Sequence, residues 1–206
     1  VRGGAVIIQG TIGAVMIGAM LYLTLHFQTV MGMGPLMAGL ANLSMTVVIM
    51  GFTPVTTKLL NRVGPRPLMI AGPLLAGIGL LLLLRITPDG NYFVEVLPAL
   101  VVLGVGLSML FVPVQNVALV GVEHQDAGVA SAAINSMFHI GGSIGLAIFT
   151  VLYSNAVTSA VEGGAQQLAA FTDGYKAAFV GAGIMMILAA VVGFTMIRGT
   201  KEELMP

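Results

Sequence analysis

The hydrophobic positions of this chain run in long unbroken stretches, and its charged positions are confined to short clusters between them. Residues 3–57, 67–84, 96–122, 127–161 and 177–197 contain no Asp, Glu, Lys or Arg. An apolar run of ~18 residues or more without charge reads as a membrane-spanning helix. The longest stretch is divided by Met31-Gly-Met-Gly-Pro35, a Gly/Pro cluster that suits a tight connection. The pattern therefore predicts six spans, at residues 5–29, 36–57, 68–84, 96–120, 129–153 and 177–197. Continuous apolar runs without strict alternation exclude a transmembrane β-barrel, which leaves helices to satisfy the backbone in lipid. The expected fold is all-α and polytopic. Residues 154–175 form the only long loop in this scheme, and Gln166-Gln-Leu-Ala-Ala170 predicts a short interfacial helix within it.

Polar side chains inside the spans follow an order. The first span carries Gln9, Thr11, Tyr22, Thr24, His26 and Gln28, and the second Asn42, Ser44, Thr46, Thr53 and Thr56. The third carries none. The fourth has Ser108, Gln115 and Asn116, the fifth Ser131, Asn135, Ser136, His139 and Ser143, and the sixth only Thr195. Polar groups within a span are costly unless they face protein or water. The order polar, polar, bare, repeated once, predicts four helices around a shared cavity and two packed outside, toward lipid. A three-span repeat must be inverted, because an odd number of crossings reverses topology, and nested three-plus-three inverted repeats are a transporter architecture. In the fifth span Ser131, Asn135, His139 and Ser143 recur every four residues and share one face. For the Ser and Thr residues the simplest role is bonding within or between helices. Full amides and an imidazole are costlier to hide, so Gln28, Asn42, Gln115, Asn116, Asn135 and His139 are the candidate cavity residues.

Composition sharpens this picture. Charged residues make up 8% of the chain and hydrophobic ones 57%, with a mean hydropathy of +1.02; water-soluble domains carry roughly 25% charge. Zero net charge offers no field for nucleic acid. The absence of cysteine removes disulfides and thiolate metal sites, and no metal or cofactor is expected. Six spans put both ends on one side with Arg2, Lys58, Arg62, Arg66, Arg198 and Lys201, against Arg85 and Lys176 on the other. That bias predicts cytoplasmic termini. Glu95 falls at an outer entrance and Glu123 and Asp126 in a cytoplasmic loop. Tyr92, Tyr153 and Tyr175 fall at predicted outer boundaries, where a ring with a polar tip is comfortable. Gly141-Gly-Ser-Ile-Gly145 formally matches the hydrolase elbow G-x-S-x-G, but that elbow needs a strand–turn–helix context and this segment is mid-span. Gly141 and Gly145 are read instead as small-xxx-small packing, and Gly72-Pro73 likewise as a kink with close packing.

The connection after the second span reads Lys58-Leu-Leu-Asn-Arg62-Val-Gly-Pro-Arg66. It resembles the cytoplasmic signature of the major facilitator superfamily, G-x-L-x-D-R-x-G-x-R. Arg62, Gly64 and Arg66 match, while Asn61 stands where the family has Asp and Thr57 where it has Gly. Leu25-His-Phe-Gln28 with the following Met31–Leu40 stretch, the run Gly128-Val-Ala-Ser-Ala-Ala-Ile-Asn135, and Phe171-Thr-Asp-Gly-Tyr-Lys-Ala-Ala-Phe179 resemble segments of the fourteen-span drug:proton antiporters of the EmrB/QacA type. The resemblance covers nearly the whole chain and implies the C-terminal six-helix half of such an exporter, one half-bundle with the N-terminal half absent. Val1 is not an initiator Met, which agrees with a start inside a longer protein.

The expected activity is export of amphipathic small molecules through the cytoplasmic membrane of a bacterium, by alternating access and in exchange for protons. No carboxylate lies deep in a span, and His139 is the deep titratable candidate, since an imidazole changes charge in the physiological range. The resemblance places the coupling acids chiefly in the absent half. The expected partners are the bilayer, that half, the small-molecule substrate and protons. Two other readings stay open at this point: a non-transporting membrane scaffold, and a facilitator or importer of the same fold.

Overall fold

The computed structural model describes residues 2–119, 122 and 126–197. Six long apolar helices account for nearly all of them: α1 (Gly3–Thr29), α2 (Pro35–Val63), α3 (Pro65–Arg85), α4 (Tyr92–Val117), α5 (Ala127–Glu162) and α6 (Gln167–Met196). Each corresponds to one predicted span. Glu123, Arg198 and Lys201 lie outside the described residues, so the charge bias that predicts orientation is represented here by Lys58, Arg62 and Arg66 at one end and Arg85 and Lys176 toward the other.

The helix ends differ from the predicted ones in an instructive way. Hydrophobicity marks where lipid begins, whereas the helix stops only where the backbone must turn. α2 therefore continues two turns past residue 57, so Lys58, Asn61 and Arg62 are helical. It ends at Gly64, whose φ of 81° is the left-handed region that favours glycine, and whose N–H donates to the carbonyl of Leu60 at 2.9 Å. Pro65 then opens α3 at its first turn, where a missing N–H costs nothing. Gly64→Ala should lower stability by about 1 kcal/mol, read as a reduced melting temperature of the detergent-purified protein.

The long loop at 154–175 is a correction. These residues are Ala-, Val- and Gln-rich without proline, so α5 runs on to Glu162 and α6 begins at Gln167. Gln166–Ala170 is not a separate interfacial helix but the start of α6. Only residues 163–166 connect the two, with the break at Gly163-Gly164 and a φ of 81° at Gly164. At 1.5 Å per residue the 36 residues of α5 reach about 54 Å, well past the ~30 Å of hydrocarbon.

Helix pairing follows the predicted inverted repeat. α1 packs on α5 and α6, α4 packs on α2 and α3, α1 touches α4, and α3 packs on α6. Replacing each helix by the one three later maps α1–α5 onto α4–α2 and α1–α6 onto α4–α3. One pair breaks the correspondence: α5 packs closely on α6, while α2 barely meets α3.

Close approach at small residues builds these contacts. A Cβ added to Gly72 of α3 would stand 3.0 Å from the carbonyl oxygen of Gly106 of α4, and one added to Gly79 would stand 2.6 Å from the backbone nitrogen of Leu103. Gly10 and Gly13 of α1 lie backbone to backbone against Gly141 and Phe138 of α5, and Gly145 meets Ala14. Within α1 the segment Ala14–Ala19 is a π-helical turn at this crossing. The G-x-S-x-G segment is thus uninterrupted helix and serves packing. The bare helices α3 and α6 turn apolar surface outward: Leu74, Ile78, Ile184, Leu188, Val191 and Phe194 are exposed. α2 and α5 are the least covered, with 11% of their most apolar window buried against 50–61% for the other four.

Candidate functional site

α5 has two faces of opposite character. Gly142 and Gly145 are buried, and Gly141 meets α1; on the other side Asn135, Ser136, His139 and Ser143 are exposed. The spacing of four seen in the sequence is responsible, because it keeps these side chains on a single stripe while the glycines occupy the stripe behind. Ser143 Oγ donates to the carbonyl of His139 at 3.0 Å, so its polarity is partly satisfied by its own helix. The His139 ring meets Phe138 edge-on at 5.5 Å and is otherwise open.

The other predicted cavity residues are placed differently. Gln115 is half-buried and Asn116 exposed near the end of α4. Gln28 is exposed one residue before α1 ends. Asn42 is half-buried about two turns into α2; its Nδ2 donates to Thr24 Oγ1 at 2.9 Å and to the carbonyl of Ala38 at 3.1 Å, tying α2 to α1. Helix direction puts Gln28 and Asn42 toward the end opposite Gly64, Gln115 and Asn116 at the Gly64 end, and Asn135 and His139 between. The six are spread along the bundle's length rather than gathered in one cluster. Most Ser and Thr hydroxyls take the simple role, bonding carbonyls one turn back, as Thr53 does to Ile49 at 2.7 Å and Thr195 to Val191 at 2.8 Å.

Sequence reasoning missed the aromatic junction of α1, α5 and α6. Tyr22, Tyr153 and Tyr175 pack ring on ring, with centroids 5.2 Å, 5.1 Å and 6.3 Å apart. Tyr22 Oη donates to Thr150 Oγ1 at 2.8 Å, and Tyr175 Oη shares a hydrogen bond with Thr29 Oγ1 at 2.7 Å. Tyr175 is 2% exposed, so it is a core residue and not an interfacial anchor. Tyr92, the third predicted anchor, donates to the carbonyl of Ala41 at 2.8 Å and so joins α4 to α2. The available signal was the i, i+4 pair Tyr22 and His26; nothing local marks partners more than 120 residues away. Beside Tyr92 an open apolar groove of ≈ 540 Å³ lies between the starts of α2 and α4, walled by Met33, Met37, Leu40 and Phe93, and it includes none of the predicted cavity residues.

The loop motif is built as a tight turn. Asn61 and Arg62 are exposed on the last turn of α2, and Gly64 makes the corner. Arg66 reaches back across α3 and lies 6.0 Å over the Phe194 ring of α6. That places a cation against an aromatic face, a favourable contact, and links the corner to the last helix.

Six long apolar helices, paired as an inverted repeat and carrying an uncovered polar stripe on one of them, define a polytopic membrane protein of the transporter class. Residues 2–146 match the Major Facilitator Superfamily, and the chain belongs to it. The puromycin resistance protein pur8 of Streptomyces alboniger is 29% identical over 98% of this chain, and the match covers 42% of that protein. The cephamycin export protein CmcT of Amycolatopsis lactamdurans is 29% identical over 87% of the chain and 36% of its own length. A tetracenomycin C resistance and export protein of Streptomyces glaucescens is 30% identical over 68% of the chain and 26% of its own length. The chain spans less than half the length of these relatives.

Proposed function

We propose that this chain is the C-terminal six-helix half of a proton-coupled multidrug exporter of a bacterial cytoplasmic membrane, with both termini in the cytoplasm. The observation that carries this reading is the exposed stripe of Asn135, His139 and Ser143 on α5. An amide and an imidazole in mid-span cannot face hydrocarbon without a large cost. They must therefore face protein or water, and the second half of a transporter supplies both. The scant burial of α2 and α5 supports the same partner. Gln28, Asn42, Gln115, Asn116, Asn135 and His139 are the polar positions of a mostly apolar wall, a lining suited to amphipathic compounds. His139 is the titratable group of that wall, and Asn61, Arg62, Gly64 and Arg66 form the cytoplasmic corner. Because the matched relatives include resistance and export proteins for antibiotics, puromycin is a reasonable first substrate to try.

The complete gene product, expressed in a host stripped of its own pumps, should lower accumulation of puromycin or ethidium several-fold, and a protonophore should abolish the effect. Unchanged accumulation would favour a scaffold. Protonophore-insensitive transport would favour a facilitator. The pH profile of efflux between about 5.5 and 8, the range in which imidazoles titrate, should flatten in His139→Ala; an unaltered profile removes His139 from coupling.

A further inference from the structure

His26 is a buried histidine of this bundle. It is 1% exposed, whereas His139 stands open on α5. Its Nδ1 is shut away from solvent and has no hydrogen-bond partner among the described residues. The ring is walled by Tyr175 of α6 in an edge contact at 5.4 Å and by Phe27 at 6.3 Å. Phe27 in turn meets Tyr92 of α4 at 5.8 Å. This is the junction where α1, α4 and α6 come together, at the end of the bundle opposite Gly64.

Burial acts on this imidazole most strongly, and two charges act on it besides and oppose one another: Glu95 of α4 and Lys176 of α6. Among the described residues Tyr175 on α6 brings a phenol ring against it, and further phenols stand one contact away: Tyr153 of α5 and Tyr22 of α1 beside Tyr175, and Tyr92 of α4 beside Phe27. α2 brings Asn42, which does not ionise, through Thr24. Glu95 is already engaged: its Oε2 accepts from the backbone N–H of Thr87 and its Oε1 from the Thr87 hydroxyl, both at 2.9 Å. Glu95 therefore fastens the connection between α3 and α4 to the top of α4.

We propose that His26 is a second proton-binding site of this half, whose occupancy loosens the packed ends of α1, α4 and α6. Neutral imidazole fits the closed junction. A proton added there makes a cation that the closed wall cannot solvate. It draws Glu95 away from Thr87 and pushes against Lys176, so the protonated form favours an arrangement in which this end opens. The inference rests on the exporter reading for its purpose, a proton taken up at the outer face, but not for its test.

Cysteine labelling reads the opening without any substrate. Val30→Cys reports the half-buried end of α1, and Ser159→Cys is an exposed control on α5. Both are made in the complete protein, with any cysteine outside this chain replaced, and are labelled with a membrane-impermeant maleimide. The ratio of the two labelling rates should rise about ten-fold from about pH 8 to about pH 5.5. His26→Gln should hold the ratio at its pH 8 value throughout. Should His26→Gln fail to accumulate, Glu95→Gln serves: it removes the countercharge, so the rise should move to lower pH. A flat ratio in the parent, an undiminished rise in His26→Gln, or an unshifted rise in Glu95→Gln would each overturn the proposal. A flat ratio in protein that still exports ethidium sinks this inference alone. A pH-dependent ratio in protein that exports nothing sinks the exporter reading alone.

Discussion

Gly141→Leu should abolish assembly of the bundle. The Cα of Gly141 rests on the backbone of Gly10, and a Cβ there would enter the space of the Gly10 carbonyl oxygen. Relief cannot come from a side chain swinging aside, because the obstructing atoms are main chain. On the other side of the crossing Gly13 is pressed against the Phe138 carbonyl in the same manner. α1 would have to retreat from α5 along this contact, separating Tyr22 from Thr150 as well. Overpacking by a few methylenes costs about 1–3 kcal/mol where side chains can yield; with backbone on both sides the cost should exceed ~3 kcal/mol, the range of severe single substitutions. The check is the yield of monodisperse protein after detergent extraction, which should fall to a small fraction of the parent. Gly128→Leu, at a site with nothing within 4 Å of the added Cβ, is the control and should be recovered normally.

The second large effect lies on the opposite face of the same helix. Replacing Asn135 and His139 together by Leu should leave abundance and melting temperature near parental values, because neither side chain is buried in this half. Drug efflux by the complete transporter should fall by about ten-fold or more, equivalent to ~1.4 kcal/mol or more of barrier. The two substitutions remove an amide and an imidazole from the exposed stripe of α5 and replace them with hydrocarbon. Parental efflux in the double variant would show that this stripe does not face the transport path. Loss of protein instead of loss of efflux would show that the stripe is packed against protein as structure. One helix thus separates the two expectations: the glycine side should govern assembly, and the amide side, on the proposed reading, transport.

The number, order and approximate position of the spans were legible because lipid imposes a simple demand. No charge can stand in hydrocarbon, so the charge-free runs mark the crossings. The inverted pairing was legible from polarity, since the stretches 68–84 and 177–197 are bare but for Thr195, and the helices built on them, α3 and α6, occupy equivalent places in the pairing. The packing role of Gly141 and Gly145 was legible from their spacing. Helix ends were not, because Lys58–Val63 and residues 154–162 are polar enough to leave the membrane yet still helical. The contrast between His26 and His139 was not legible either. Both sit in charge-free stretches, and what separates them is which residue stands opposite: Tyr175, at a distance of nearly 150 positions, for the first, and, among the described residues, only its neighbour Phe138 for the second. Polarity says that a side chain needs company; only the pairing of helices says whether this chain provides it.

The hairpin formed by α5 and α6 has a consequence for the shape of the membrane face on that side. α3, with 21 residues, is about 32 Å long, close to the ~30 Å thickness of the hydrocarbon. α5 and α6, at 36 and 30 residues, stand well proud of it. The rim is therefore lopsided, a rigid parapet of α5 and α6 along one flank and a low threshold at α3 along the other.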